Sequence, residues 1–110
     1  MRNISFSLTT PQFIDGTKDV TRRLGWLFLK AGDRLMACEQ CQGIKAGGLV
    51  RLGVIEVVSI RRGPLYHIKQ DDCRREGFPD LSPEQFVDMF CEHMGCTIDK
   101  LVTRIEFKRL

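Results

Sequence analysis

The chain has 110 residues, of which 43% are hydrophobic and 28% charged, and a net charge of +3; this balance is typical of one compact globular domain. No apolar run approaches the about 20 residues that a transmembrane helix needs, and the N-terminal segment alternates apolar and polar residues, unlike the apolar core of a signal peptide. We therefore expect a single domain, residues 1–110, in the cytoplasm and without a membrane partner; the oligomeric state stays open.

The basic residues come in adjacent pairs. Nucleic-acid-binding surfaces cluster positive charge in this way, but ordinary solvated faces do so as well. The charge pattern therefore leaves both a binding patch and a plain surface open. The pairs are Arg22 with Arg23, Arg61 with Arg62, Arg74 with Arg75, and Lys108 with Arg109.

The N-terminal quarter predicts a strand, a short helix and a polar loop. Apolar and polar residues alternate over 3–8, which indicates a half-buried strand. A short helix follows, with Thr10 as its cap, Pro11 at the first helical position and Gly16 as its end. The next residues, 17–23 (TKDVTRR), then form a loop outside the core.

The middle of the chain is rich in strand signals. Residues 34–38 (RLMAC) predict a strand that runs into a tight turn, and 49–62 (LVRLGVIEVVSIRR) form the longest strand candidate. Gly53 within it marks a bulge or bend. A long connection over 63–80 contains a helical turn near 71–75.

The clearest helix covers about 82–94. Ser82 and Gln85 form a capping box and Gly95 ends the helix, while its apolar stripe predicts core packing. The closing strand 101–110 places Ile105 and Phe107 inside, and Arg104, Glu106 and Lys108 on a wet face. Because strands dominate and do not alternate with helices, we predict an α+β fold, a small, mostly antiparallel β-barrel with helices on one side.

The order of motifs resembles the ASCH domain. The matching pieces, in chain order, are GTKDVTRR, LKAGDRLMAC, VIEVVSI, EGF and VTRIEFKRL. The resemblance covers essentially the whole chain and implies a PUA-like β-barrel and an association with RNA. Small bacterial ASCH proteins include amidohydrolases that deacetylate N4-acetylcytidine, and others have been described as ribonucleases. The sequence leaves the biological setting open, bacterial or phage.

The resemblance also implies a catalytic set. Carried over position by position, the working groups are Lys18, Thr21 and Glu76. Lys18 and Thr21 match within one motif, whereas Glu76 depends on an alignment across a variable loop, where Asp71 and Asp72 are rivals.

These groups can carry out amide hydrolysis. A desolvated lysine can take the proton of a threonine hydroxyl, and Arg22 or Arg23 beside Lys18 would depress its pKa further. We expect Lys18 and Thr21 to act as a pair and Glu76 to handle protons, although Glu76 could instead activate a water or orient the lysine. No cofactor is required.

Three further residues are candidates for contacts with the substrate or with RNA. Arg22 and Arg23 are expected to contact phosphate or base. Trp26 either stacks on a base or belongs to the core.

The five cysteines allow a structural zinc site. Two thiolates two residues apart can share one ion, so Cys38 and Cys41 could combine with Cys91 and Cys96 in a tetrahedral set. Plain reduced cysteines and a redox dithiol are the alternatives.

The leading hypothesis is therefore an ASCH-type domain that binds a nucleoside or RNA and deacetylates N4-acetylcytidine. A non-catalytic RNA-binding module and a ribonuclease are the alternatives. A closed pocket the size of one nucleoside would favour the amidohydrolase, and an open basic groove would favour RNA binding or cleavage.

Overall fold

One mixed sheet forms the body of the protein in the computed structural model, which describes residues 1–40 and 48–110. Within these ranges the sheet has five strands in the order β1-β3-β4-β5-β2. β1 and β3 are parallel, and every other neighbouring pair is antiparallel. The strands are β1 (Arg2–Ser5), β2 (Val20–Arg23), β3 (Arg34–Cys38), β4 (Arg51–Pro64) and β5 (Leu101–Arg109).

β4 is 14 residues long and curls the sheet into a half-barrel, because its pairing is interrupted twice. Its register shifts by one residue beside Gly53, whose φ of 138° suits glycine and few other residues. A second shift lies between Val57 and Ser59, opposite β5. The bulge predicted at Gly53 is confirmed, as are the α+β class and the mostly antiparallel sheet.

The helices are short, with one exception. α3 has the predicted start and end: Gln85 N–H donates to Ser82 Oγ at 3.1 Å, Ser82 N–H donates to Gln85 Oε1 at 2.9 Å, and Gly95 ends the helix at a φ of 67°. No helix in the described ranges has the length and apolar character needed to cross a bilayer. The helices are α1 (Thr10–Asp15), a 3-10 turn (Leu65–His67), α2 (Gln70–Arg75) and α3 (Pro83–Met94).

The N-terminal boundary of α1 differs by one residue from the prediction. Thr9 occupies the cap position, and Thr10 is the first helical residue. The Thr10 hydroxyl donates instead to the Phe6 carbonyl at 2.8 Å. Gly16 ends the helix as predicted, with a φ of 84°.

Two hydrophobic clusters hold the elements together. The first lies against the sheet and includes the packed rings of Phe6, Phe13 and Phe107. Burying rings of this kind stabilises a fold by roughly 1.5–3 kcal/mol each. The second cluster joins the apolar stripe of α3 to Leu65 and Val102, among others. β2 lies at one edge of the sheet, and α2 contacts it.

Candidate functional site

A pocket of about 160 Å³ lies between β2, the segment after β1, the end of α2 and the face of α3. Its volume is below the about 300–1,000 Å³ of pockets for drug-sized ligands, so it suits one ring-sized group and not an extended strand. Charged and polar side chains form its base, namely Lys18, Thr21, Arg22, Arg23 and Glu76. Its opposite wall is apolar, with Phe78, Phe86, Met89, Phe90 and Met94.

Lys18 is the deepest charged group of this pocket. Its side chain is 3% exposed, and Nζ donates to Val20 O at 2.9 Å, to Glu76 O at 2.6 Å and to Glu76 Oε1 at 3.2 Å. The expectation that Lys18 lies outside the core is therefore wrong. The backbone around it is irregular, but the Lys18 amide bonds Gln12 O and the Asp19 amide bonds Arg75 O, which turns the lysine inward.

Glu76 lies opposite Lys18 because it directly follows α2 and precedes a glycine in the left-handed region. Gly77 has a φ of 102°, and a β-carbon there would lie 3.1 Å from Gln12 Cβ. Glu76 Oε1 accepts from Lys18, and Oε2 accepts from Arg22 at 3.1 Å. The structure thus brings Glu76 to the lysine.

The two rivals of Glu76 lie elsewhere. Asp71 is exposed and pairs with Arg74 at 2.9 Å. Asp72 accepts from Arg22 at 2.7 Å and from Arg104 at 2.7 Å, so it holds the arginines on the far side of Glu76.

Thr21 lies on β2, is 3% exposed and lines the same pocket. Its hydroxyl oxygen accepts from Arg23 Nε at 3.0 Å, and Arg23 also donates to the Ser5 carbonyl. Lys18 and Thr21 therefore share a pocket, as the sequence suggests, while the hydrogen bonds described above join the lysine to Glu76 and the threonine to Arg23. This leaves the Thr21 hydroxyl proton available to an acceptor.

Burial dominates the electrostatics of the pocket base. It lowers the pKa of the Lys18 ammonium, the Glu76 carboxylate opposes this shift, and the positive charges of Arg23 and Arg22 add to it. Three cations thus surround one carboxylate. Such a site stabilises negative charge that develops on a bound group.

Arg104 is a functional candidate that the sequence pattern placed wrongly on the wet face of the last strand. It is 8% exposed, because it pairs with Asp72 of α2, 32 residues away along the chain. The strand register sets Arg104 opposite Arg22, which donates to the same Asp72 carboxylate. The residues on either side of it, Thr103 and Ile105, are buried as well.

We expect Asp72→Asn to lower the free energy of unfolding by roughly 1.5–3 kcal/mol at pH 7, because it weakens charged hydrogen bonds from Arg22 and Arg104. Burial alone would raise the pKa of Asp72, but the hydrogen bonds from these arginines hold it well below its usual range. A carboxyl whose pKa is depressed by folding stabilises the fold above its unfolded pKa of about 3.9, and this contribution declines as the pH falls further.

Urea denaturation at pH 7 and at pH values below 4 measures this effect. The difference between wild type and Asp72→Asn should narrow in acid. The exposed Asp88→Asn on α3 is the matched control, with a change within about 0.5 kcal/mol. An equal loss in both variants would contradict the assigned role of Asp72.

Trp26 does not line the pocket. It is partly buried against the sheet cluster, its ring centroid lies 5.6 Å from that of Phe28, and the Arg2 guanidinium lies 5.8 Å from its ring. The core interpretation therefore fits Trp26 better than base stacking in this pocket.

The apolar stripe of α3 has two roles, of which sequence analysis recognised one. Phe86 and Phe90 belong to the second core cluster, as expected, and they also line the pocket. Met94 is 41% exposed and lies at the pocket wall with His93. One face of the helix is part of the site because it lines the same pocket as Thr21 of β2.

The predicted zinc site stays a prediction. Cys41 lies outside the described residues. Cys38 is buried on β3, whereas Cys91 and Cys96 lie beside the second cluster. Within the parts of the chain that the structure describes, no three groups of metal-ligating type converge.

Solved structures with this architecture include an ASCH domain. The domain from Lactobacillus crispatus JV V101 superposes with a TM-score of 0.69 at 18% identity, over 98% of this chain and 78% of that one. A DUF984 protein from Enterococcus faecalis V583 superposes with a TM-score of 0.65 at 16% identity, over 91% of this chain and 68% of that one. No protein-family model matches the sequence, and neither does any curated protein sequence.

The fold and the pocket define a small α+β domain with a curled mixed sheet and one buried charged site. This protein has the fold of the ASCH domains, which confirms the PUA-like, ASCH-type architecture inferred from the motifs.

Proposed function

We propose that this protein is an ASCH-type nucleoside- or RNA-binding domain that hydrolyses the exocyclic amide of N4-acetylcytidine. The observation that carries the proposal is the buried Lys18–Glu76 pair at the base of a ring-sized pocket, with the Thr21 hydroxyl in the same pocket. Structural ion pairs are usually better hydrated than this one, and a buried charged pair beside a hydroxyl suits acid–base chemistry.

The aromatic wall binds the pyrimidine ring and the charged base receives the acetyl group. Phe78, Phe86 and Phe90 offer apolar contacts that favour binding of the face of a flat ring. Arg22 and Arg23 stabilise the negative charge that develops on the acetyl oxygen.

The reaction runs through an acyl-threonine. Thr21 Oγ attacks the acetyl carbon and its proton passes to neutral Lys18 Nζ, whose lowered pKa makes this form accessible. The C–N bond then breaks, and the proton, relayed by Lys18 and Glu76, goes to the departing N4 amine. A water molecule hydrolyses the ester, which releases acetate and restores the hydroxyl.

Liquid chromatography of purified protein with N4-acetylcytidine tests the proposal. We expect conversion to cytidine by the wild type, and a loss of about 10²-fold or more in Thr21→Val, which removes the nucleophile. Thr103→Val is the matched control, because Thr103 is a buried threonine on the adjacent strand that bonds the Gly25 carbonyl outside the pocket, and it should keep turnover.

Conversion that persists in folded Thr21→Val would exclude the acyl-threonine. If the folded wild type does not convert N4-acetylcytidine, the proposed amidohydrolase activity is wrong. The remaining hypotheses are then an RNA-binding domain and a ribonuclease.

A further inference from the structure

A second concave surface lies on the other side of Arg22. It is a groove of about 560 Å³, several times the volume of the pocket. Five of its lining side chains are basic and two are acidic, an excess that equals the net charge of +3 on the whole chain. The charged side chains that line the groove are Arg22, Arg61, Arg62, Lys69 and Arg104, with Asp71 and Asp72.

The floor of this groove is a row of three arginines on adjacent strands. Arg22 on β2 is paired with Arg104 on β5, and Arg104 is paired with Arg61 on β4. Side chains in such pairs have their β-carbons about 4.5–5.5 Å apart, and like charges placed directly opposite destabilise a sheet. A pairing of like charges that costs stability is expected at a functional site, which favours a binding role for the arginine row.

Carboxylates neutralise only part of this row. Asp72 bonds both Arg22 and Arg104, and Asp71 bonds Arg74. Arg61 and Lys69 are exposed, and neither forms an ion pair with any carboxylate in the described ranges. Arg61 in the arginine row and Lys69 beside it are therefore two groove cations without a carboxylate partner in the described ranges. Exposed Arg62 is a third, and it donates to the Leu27 carbonyl at 2.8 Å.

The groove and the pocket meet at one residue. Arg22 lines both of them and bonds Glu76 in the pocket and Asp72 in the groove. A ligand that extends from one to the other must carry a flat ring with polar edge groups at one end and negative charge at the other. A nucleotide has this chemistry: its base fits the aromatic pocket, and its phosphate suits guanidinium and ammonium groups.

We propose that this groove, formed by Lys69 and the row of Arg22, Arg104 and Arg61, binds a phosphate group. That phosphate is attached to the nucleoside whose base occupies the pocket. The inference rests on the proposed function for the identity of the base. It narrows the proposed ligand, a nucleoside or RNA, to one that carries phosphate: a nucleotide or an RNA strand. An acidic peptide would pair with the cations of the groove but would not fill the adjoining ring-sized pocket.

Binding measurements with three probes test the groove independently of turnover. The probes are cytidine, cytidine 5′-monophosphate and a short fluorescein-labelled single-stranded oligocytidine, each titrated at several salt concentrations. The variant Arg61→Gln with Lys69→Gln removes two of the three exposed cations and keeps Arg62, which bonds the Leu27 carbonyl. Arg51→Gln is the matched control, because Arg51 is exposed on the same strand and lies outside the groove.

We expect the wild type to bind at least one phosphate-bearing probe more tightly than cytidine. The double variant should lose at least about tenfold of that affinity, and the slope of log affinity against log salt should shrink by roughly 1.4, about 0.7 for each lost phosphate contact on a single strand. Arg51→Gln should bind as the wild type does. Preference for the monophosphate indicates a free nucleotide, and preference for the oligomer alone indicates an RNA strand.

Equal affinity of the wild type for all three probes would contradict phosphate binding in the groove. An unchanged slope of log affinity against log salt in the folded double variant would contradict it as well. These results are separable from the deacetylation assay. Salt-dependent oligomer binding without conversion of N4-acetylcytidine supports phosphate binding in the groove and excludes the hydrolase activity. Conversion with no preference for phosphate supports the hydrolase activity and excludes phosphate binding in the groove.

Discussion

Lys18→Ala is expected to abolish deacetylation and also to lower the free energy of unfolding by about 3–5 kcal/mol, the cost of breaking a buried ion pair. The substitution removes the group that takes the Thr21 proton. It also leaves Glu76 Oε1 and the carbonyl oxygens of Val20 and Glu76 without the donor they have in the structure.

Two further lysine variants separate chemistry from stability. Lys30→Ala is the matched control: Lys30 is 81% exposed and pairs with Asp33 at the surface, so its loss should cost within about 1 kcal/mol and leave turnover unchanged. Lys18→Arg keeps a cation and hydrogen-bond donors, but a guanidinium stays protonated and cannot act as a base. It should recover part of the stability and none of the turnover.

Urea denaturation followed by circular dichroism gives the free energies, and the chromatographic assay gives turnover at a temperature where each variant is folded. Normal turnover in folded Lys18→Ala would remove the lysine from the reaction. Unchanged stability would mean that the buried pair contributes nothing to the fold.

Glu76→Gln is expected to reduce turnover by about 10²–10⁴-fold, the usual contribution of a positioned acid–base group, and to shift the pH dependence of the remaining activity. Because neutral Lys18 is the base, the rate rises as the pH passes the pKa of Lys18. The Glu76 carboxylate raises that pKa against the effect of burial. Removing its charge therefore lowers the pKa further, and the rising limb of the profile moves to lower pH.

A pH–rate profile of the wild type and Glu76→Gln measures this shift. Glu92→Gln, which changes an exposed carboxylate on α3 outside the pocket, should leave both rate and profile unchanged. A limb that stays in place or moves to higher pH in Glu76→Gln would contradict the coupling between Glu76 and Lys18.

The elements that sequence analysis located well are those with local signals. The α3 cap depends on Ser82 and Gln85, three residues apart, and the bulge in β4 depends on one glycine. These interactions lie within a few residues of each other, so residue type and spacing suffice to predict them.

Local sequence patterns do not predict which charged residues are buried. Lysine and arginine are usually exposed, so Lys18 and Arg104 were expected outside the core. Each is buried because a carboxylate on α2 or at its end reaches it: Glu76 meets Lys18 across 58 residues of chain, and Asp72 meets Arg104 across 32. No local pattern contains that information.

The predicted loop over 17–23 is wrong for Val20–Arg23, which form β2 against β5. Local sequence patterns predict the α+β class, the other strands and α3, and the motifs carry the resemblance to ASCH domains. These follow from alternation, capping and turn chemistry, which act between near neighbours in the chain. Only the tertiary structure decided that Glu76 and not Asp72 faces Lys18, and that Arg22, Arg104 and Arg61 form one row. The physical reason is that strand register and the packing of α2 against β2 join residues far apart in the chain.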